Sequence, residues 1–371
     1  MPSPSTEHLV GEIRRRVIGH RSDDLAAQVA DELDRLLPLA GECERTTVAR
    51  SVMAELVGFG PLEEFLTDPS VEEVMINGGN ELWIARAGSM TRVGNLRADV
   101  VTTVIQRVLS PLGLRLDRVH PIVDARLPDG SRFTAIIPPL AVDGPCVAIR
   151  RFRVADVPLH GFASPAVADM LNELVAARCN LVVCGATSSG KTTLLNAIAG
   201  SIDANERILT IEDTAELRLR APHVLRLESR PATAEGLGEA SIRDLVRAAL
   251  RLRPDRLIIG EVRGGEALDM IEALSTGHDG SLSTCHANNP ADALRRLEFM
   301  AVQGATDLPM AAVRDRVERA IDAVIHIERR ADGVRRITEV AEVAIDSGLG
   351  ARTRRLADKD EVVAHITRGR R

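Results

Sequence analysis

An apolar run, Leu181 to Cys184, feeds the loop Gly185-Ala-Thr-Ser-Ser-Gly-Lys-Thr192, and a helix-like segment follows through Asn196. Gly at the first and sixth loop positions, Lys at the seventh and Ser or Thr at the eighth define a phosphate-binding loop, and Gly185, Gly190, Lys191 and Thr192 fill those places. The glycines permit turns that a Cβ would hinder, so that successive N–H groups aim at phosphate oxygens beside the positive end of the next helix. Lys191 is the candidate for the β- and γ-phosphates and the Thr192 hydroxyl for Mg²⁺. The candidate nucleotide-binding segment is Gly185, Ala186, Thr187, Ser188, Ser189, Gly190, Lys191, Thr192 and Thr193.

Around this loop the chain reads in four parts. Residues 1–58 carry apolar positions at helical spacing, such as Leu25, Val29, Leu33 and Leu36, and predict two or three helices. The last is expected at Thr46 to Val57, stopped by Gly58-Phe59-Gly60-Pro61. Residues 59–153 predict a small mixed α/β domain. Its parts are a hairpin over Val71–Ile76 and Glu81–Arg86, a helix over Val100–Leu109 closed by Pro111, and short strands at Ile122–Leu127, Arg132–Ile137 and Cys146–Phe152. Residues 154–164 are the expected linker. From 165 to 371 helices alternate with apolar runs at Leu181–Cys184, Ile208–Ile211, Leu257–Ile259 and Ser281–Cys285, which predicts a mostly parallel sheet with ligands at the carboxyl ends of its strands. A strand at Ala323–Ile327, a hairpin around Asp332-Gly333 and a frayed basic tail at 368–371 are expected to close the chain.

Composition narrows the function classes. A net charge of −6 over 371 residues argues against wholesale attraction to nucleic acid or anionic lipid. With no tyrosine, one tryptophan and six phenylalanines there is little to stack single-stranded bases, so no stable nucleic-acid binding is expected. Cys43, Cys146, Cys179, Cys184 and Cys285 form no Cys-x-x-Cys pair and read as buried small apolar residues in a reducing cytoplasm. No apolar segment approaches the roughly 20 residues of a membrane span, and Glu12 and Arg14–Arg16 break up any secretory signal.

A hydrolase needs groups for the metal and the attacking water. Three segments follow expected strand ends: Glu212-Asp-Thr-Ala-Glu216, Gly260-Glu-Val-Arg263 and Cys285-His-Ala-Asn288. Carboxylates there can bind Mg²⁺ or orient water, and a histidine can report on the γ-phosphate.

These segments resemble the four signature boxes of type II/IV secretion ATPases: the phosphate loop, Thr210–Leu217, Arg253–Ala267 and Thr276–Asn288. The branch they look most like is that of CpaF-like tight-adherence (Tad/Flp) pilus ATPases. Upstream, Gly60–Glu63, Val74–Gly78, Val123–Arg132 and Ala148–Phe152 are similar to that branch's N-terminal domain. The resemblance implies an α/β chain with a RecA-like P-loop NTPase domain, a smaller PAS-like mixed α/β N-terminal domain and a helical N-terminal extension. It also implies a homohexameric, Mg-ATP-hydrolysing motor, cytoplasmic and peripheral on the inner face of the membrane, that works on inner-membrane platform proteins of a pilus or secretion system. Glu212, Glu261, Lys191 and His286 are then the catalytic candidates, and Thr192, Glu261 and Glu212 the metal candidates. Either Glu212 or Glu261 could be the general base. Asp213 and Glu216 would support them, and His278 would accompany His286. Arg150 is the preferred phosphate contact of the first domain, over Arg126, Arg132 and Arg151, with Arg218, Arg220, Arg243 and Arg247 as weaker candidates. Two other readings stay open: an ATP-binding switch with little turnover, and a nucleic-acid translocase.

Overall fold

The computed structural model describes residues 4–18, 24–86, 88–151, 157–230, 232, 237–304, 307–344 and 352–367. The chain divides into two compact units, residues 1–153 and 154–371. Phe152 and the start of the expected linker, 154–156, lie outside the described residues, as does the basic tail.

The first unit opens with α1 (Pro4–Ile18), α2 (Leu25–Leu36) and α3 (Glu42–Leu56), packed through Val10, Ile13, Val17, Val29, Leu33, Val48 and Val52. Helix α3 begins four residues before the expected Thr46 and ends before Gly58. A short helix, α4 (Glu63–Thr67), leads into β1 (Val71–Asn77), β2 (Glu81–Arg86) and β3 (Ser89–Asn95), then α5 (Ala98–Leu112), β4 (Ile122–Arg126), β5 (Arg132–Ile136) and β6 (Cys146–Arg150). The strands form an antiparallel sheet in the order β3-β2-β1-β6-β5-β4. The predicted hairpin pairs Asn77 with Glu81. Strand β3 escapes sequence reading because its residues are mostly exposed, with no apolar alternation to mark them. Pro111 does not end α5 as expected. It sits in the last turn, and Gly113, at φ 65°, closes the helix by donating to the Ser110 carbonyl.

The second unit carries the phosphate loop. Ser164 caps α6 (Pro165–Ala176), followed by β7 (Leu181–Gly185), α7 (Lys191–Ala199), β8 (Ile208–Glu212), β9 (Val224–Glu228), α8 (Ile242–Ala249) and β10 (Arg256–Val262). Then come α9 (Glu266–Ser275), β11 (Leu282–His286), α10 (Pro290–Gly304), α11 (Met310–Ala320), β12 (Ala323–Arg329), β13 (Arg335–Ala344), β14 (Arg352–Asp358) and β15 (Glu361–Val362). The sheet order is β15-β14-β13-β12-β7-β11-β10-β8-β9. From β12 to β9 neighbouring strands are parallel, and the C-terminal strands add an antiparallel edge. Every residue of β7 and β8 is buried, as a central strand covered on both faces requires. One face packs on α6 and α7, the other on α8, α9, α10 and α11. The fold is therefore the α/β, RecA-like P-loop architecture with a smaller α/β unit and N-terminal helices. Among the described residues no helix is long and apolar enough to cross a membrane.

Polar groups fix the end of the sheet opposite the loop. Asn180 donates to Asp322 and accepts from the N–H groups of Gly280 and Ser281. The buried Arg256 guanidinium is paired with Glu206 and donates to the Val175 and Gly280 carbonyls. Of the cysteines, Cys179, Cys184 and Cys285 are buried, while Cys43 is exposed, contrary to expectation. Ser241 and Asp244 form a reciprocal capping box at the start of α8. Ser241→Ala is expected to cost about 1 kcal/mol, read as a lower urea midpoint with an unchanged slope.

Candidate functional site

The loop between β7 and α7 has the geometry its glycines allow. Gly190 is at φ 98° and Ser188 at φ 61°, the latter a left-handed conformation uncommon for a side-chain-bearing residue. Gly185 ends β7 hard against the backbone of Ile327 on β12, so a Cβ there has no room. Ala186, Thr187 and Ser188 are exposed at the tip, Thr192 and Thr193 are half-buried on the first turn of α7, and Lys191 is buried. The Lys191 ammonium donates to the carbonyls of Gly185 (3.2 Å) and Ala186 (2.9 Å). Desolvation lowers its pKa below the ordinary lysine value. Ser189 is buried, and among the described residues its hydroxyl has no hydrogen-bond partner. A loop with an orphaned hydroxyl, an ammonium resting on its own carbonyls and the N-terminus of α7 offers donors in search of an acceptor, which is what a bound polyphosphate supplies.

A relay of charged groups runs from this lysine to the neighbouring strand ends. His286, the last residue of β11, has Nδ1 3.3 Å from Lys191 Nζ and Nε2 2.6 Å from Glu261 Oε1. Desolvation and the Lys191 charge hold His286 below its ordinary pKa against the opposing pull of Glu261. Arg263 grips the other oxygen of Glu261 at 2.6 Å and lies 3.8 Å from Asp213. Its bond to Glu261 pushes its own pKa up. Three strand ends, β8, β10 and β11, thus converge on the loop. The side chains come together because parallel strands start from the same end of the sheet and finish at the other.

Glu212 is placed differently from Glu261. Its carboxylate is buried and accepts from the N–H groups of Glu216 (3.0 Å) and Leu217 (3.0 Å), which fixes the loop after β8. Desolvation outweighs those bonds and lifts its pKa to about 7. Gly260, on the adjacent β10, is what makes room: a Cβ there would stand 2.7 Å from Glu212 Cγ.

Several sequence candidates fall elsewhere. His278 lies beyond the opposite end of β11 from His286, with Nδ1 3.1 Å from the Ala273 carbonyl, so the two histidines are not brought together. Arg243 and Arg247 both hold the buried Asp269, at 2.6 and 2.7 Å. Arg151 donates to the Asp68 and Val71 carbonyls of its own unit. Arg150 ends β6 with Nε 3.5 Å from Glu73. The Arg218 N–H donates to Asn196 on α7. Arg263 closes the sequence segment Gly260-Glu-Val-Arg263 without an assigned role there, and it stands one residue past the end of β10.

Comparison with known proteins is consistent with this geometry. A family model described as "Type II/IV secretion system protein" matches residues 55–355. A Mycobacterium tuberculosis relative with a provisional conjugal-transfer designation is 37% identical, over 82% of this chain and 89% of its own. The conjugal transfer protein TrbB of Rhizobium radiobacter is 35% identical, over 75% of this chain and 85% of its own. Among solved structures, the pilus retraction motor PilT with bound ADP shares the fold with a TM-score of 0.55 at 18% identity, covering 75% of this chain and 80% of that one.

Proposed function

The chain belongs to the type II/IV secretion system protein family and is a P-loop ATPase, and from that premise we propose that it is the Mg²⁺-dependent, ring-forming motor of a secretion machine. The observation that carries this reading is the unbroken relay Lys191–His286–Glu261–Arg263, which ties the phosphate loop to an acidic strand end.

Bound Mg-ATP supplies a hydrolysable phosphoanhydride whose charge the cation helps to neutralise. Lys191 exchanges its two loop carbonyls for phosphate oxygens, and the Ser189 hydroxyl and the N–H groups of Gly190 and Lys191 bind alongside. Thr192 holds the cation, with Glu261 and Glu212 as the further metal candidates. Glu261 accepts the proton of the attacking water. His286 and Arg263 fix its carboxylate from both sides, which removes the entropy of orienting it in each cycle. His286 is suited to be neutral at physiological pH, so it can accept from Lys191 when it donates to Glu261.

For the machine itself we propose assembly of a Tad/Flp-type pilus through inner-membrane platform proteins, on the strength of the CpaF-like segments Val123–Arg132 and Ala148–Phe152. The conjugal-transfer names of two relatives favour a second reading, export of DNA or protein by a related machine. Purified chain should hydrolyse ATP only with Mg²⁺, run as a hexamer by native mass spectrometry with nucleotide, and lose turnover with Lys191→Ala. Undiminished turnover in Lys191→Ala would reject the site. Deleting the gene and counting surface pili separates the machines: wild-type piliation with lost export supports the second reading.

A further inference from the structure

The β12–β13 hairpin brings two arginines beside the phosphate loop. Arg329 ends β12, Arg335 begins β13, and the antiparallel register sets them directly opposite each other. Both lie on the sheet face that carries α7. Ile327 and Ile337, two residues from each, pack in one core cluster with Leu194 and Leu195 of α7, and strand residues two apart share a face. Because β12 runs parallel to β7, with His326 beside Cys184, the hairpin leaves the sheet at the end where the loop begins. The stem of Arg335 then lies over Gly190: a Cβ at Gly190 would stand 2.5 Å from Arg335 Cδ and 3.2 Å from its Nε.

This placement is costly in the protein alone. Like charges directly opposite in an antiparallel pair destabilise it, and among the described residues neither Arg329 nor Arg335 has an ion-pair partner. Nearby acids are engaged elsewhere: Asp332 accepts from the Val334 N–H, and Glu328 lies 3.8 Å from His326. Other arginines of the same sheet edge are matched, Arg354 with Glu342 and Arg355 with Glu339. Two unmatched cations beside a loop built for phosphate are explained by an anion that binds between them.

We propose that Arg329 and Arg335 form a clamp, supplied by the same chain, on the phosphates of the bound nucleotide, with Arg335 on the part that ADP and ATP share. The proposal rests on the reading of Gly185–Thr192 as the nucleotide loop. The backbone of such a loop cradles the α- and β-phosphates, and Gly190, under the Arg335 stem, is the residue from which α7 starts. The guanidinium fork suits two phosphate oxygens where an ammonium offers a point charge.

The test is binding of fluorescent methylanthraniloyl-ADP and its non-hydrolysable ATP counterpart to the full chain, with melting curves taken with and without ADP. Arg335→Ala should weaken both ligands alike by about tenfold or more, Arg335→Lys less so, and Arg329→Ala by a smaller factor. Without nucleotide, Arg329→Ala should melt at or above the wild-type temperature, because repulsion is relieved, yet gain less from ADP. Wild-type affinity in folded Arg335→Ala, with binding lost in Lys191→Ala, overturns the clamp and leaves the nucleotide site standing. Loss of the ATP analogue alone overturns the assignment to the shared phosphates. Wild-type binding in Lys191→Ala removes the premise and the clamp with it. Should Arg335→Ala melt early, Arg335→Gln, which keeps the stem over Gly190, must show the same equal loss.

Discussion

Glu261→Gln is expected to lower ATP turnover by about 10²–10⁴-fold while leaving nucleotide affinity close to wild type. The glutamine keeps the length of the side chain but gives up one of its two acceptor oxygens and cannot take a proton, so the loss appears in kcat rather than in binding. Both oxygens of Glu261 are held, one 2.6 Å from His286 and one 2.6 Å from Arg263. The restraint matters as much as the charge. Arg263→Gln should therefore reduce turnover too, by a smaller factor, because it frees Glu261 without removing it. Glu212→Gln in the same assay decides between the two acids. The Glu212 carboxylate is turned to its own loop's N–H groups, so its replacement should cost less in turnover than that of Glu261. Near-wild-type phosphate release from Glu261→Gln, with release abolished in Glu212→Gln, would reverse the assignment.

How much of this was legible beforehand depends on what each feature needs. The central strands and the loop were visible because burial on both faces demands unbroken apolar runs such as Leu181–Cys184, and because phosphate binding demands glycine at fixed spacing. Strands at the sheet margins were not. Strand β9 is half-buried throughout, and β14 is rich in arginine, so neither has the contrast that marks a strand. In the site, Glu261 and His286 could be named from strand ends, yet their close approach of 2.6 Å comes from the adjacency of β10 and β11, which sequence order does not encode. The same holds for Arg335, more than a hundred residues beyond the loop in the chain and brought to it by the pairing of β12 with β7. His278 illustrates the converse: eight positions from His286, it is carried to the far side of the sheet by the length of a strand, at about 3.3 Å per residue.

The buried carboxyl of Glu212 should make the stability of the nucleotide-free chain fall as pH rises through the weakly acidic range. Its pKa is about 7 in the folded protein against an ordinary 4.5, so between those values the folded state holds a proton that the unfolded chain has released. The stabilising proton is fully present below about pH 4.5 and lost as pH passes 7, a swing of about 3 kcal/mol for this one group. Glu212→Gln carries no charge at any pH. Its stability relative to wild type should rise by that amount between pH 4.5 and pH 8, read from urea midpoints at each pH. Parallel profiles would show that Glu212 is not the buried proton-binding group. Gly260→Ala checks the cause by another route. A Cβ at 2.7 Å from Glu212 Cγ must push the side chain out of its pocket, so this variant should lose the pH-dependent difference and also the hold on the Glu216 and Leu217 N–H groups. The absence of one methyl group on the next strand is thus what leaves the Glu212 carboxyl buried and poised near neutrality at the end of β8.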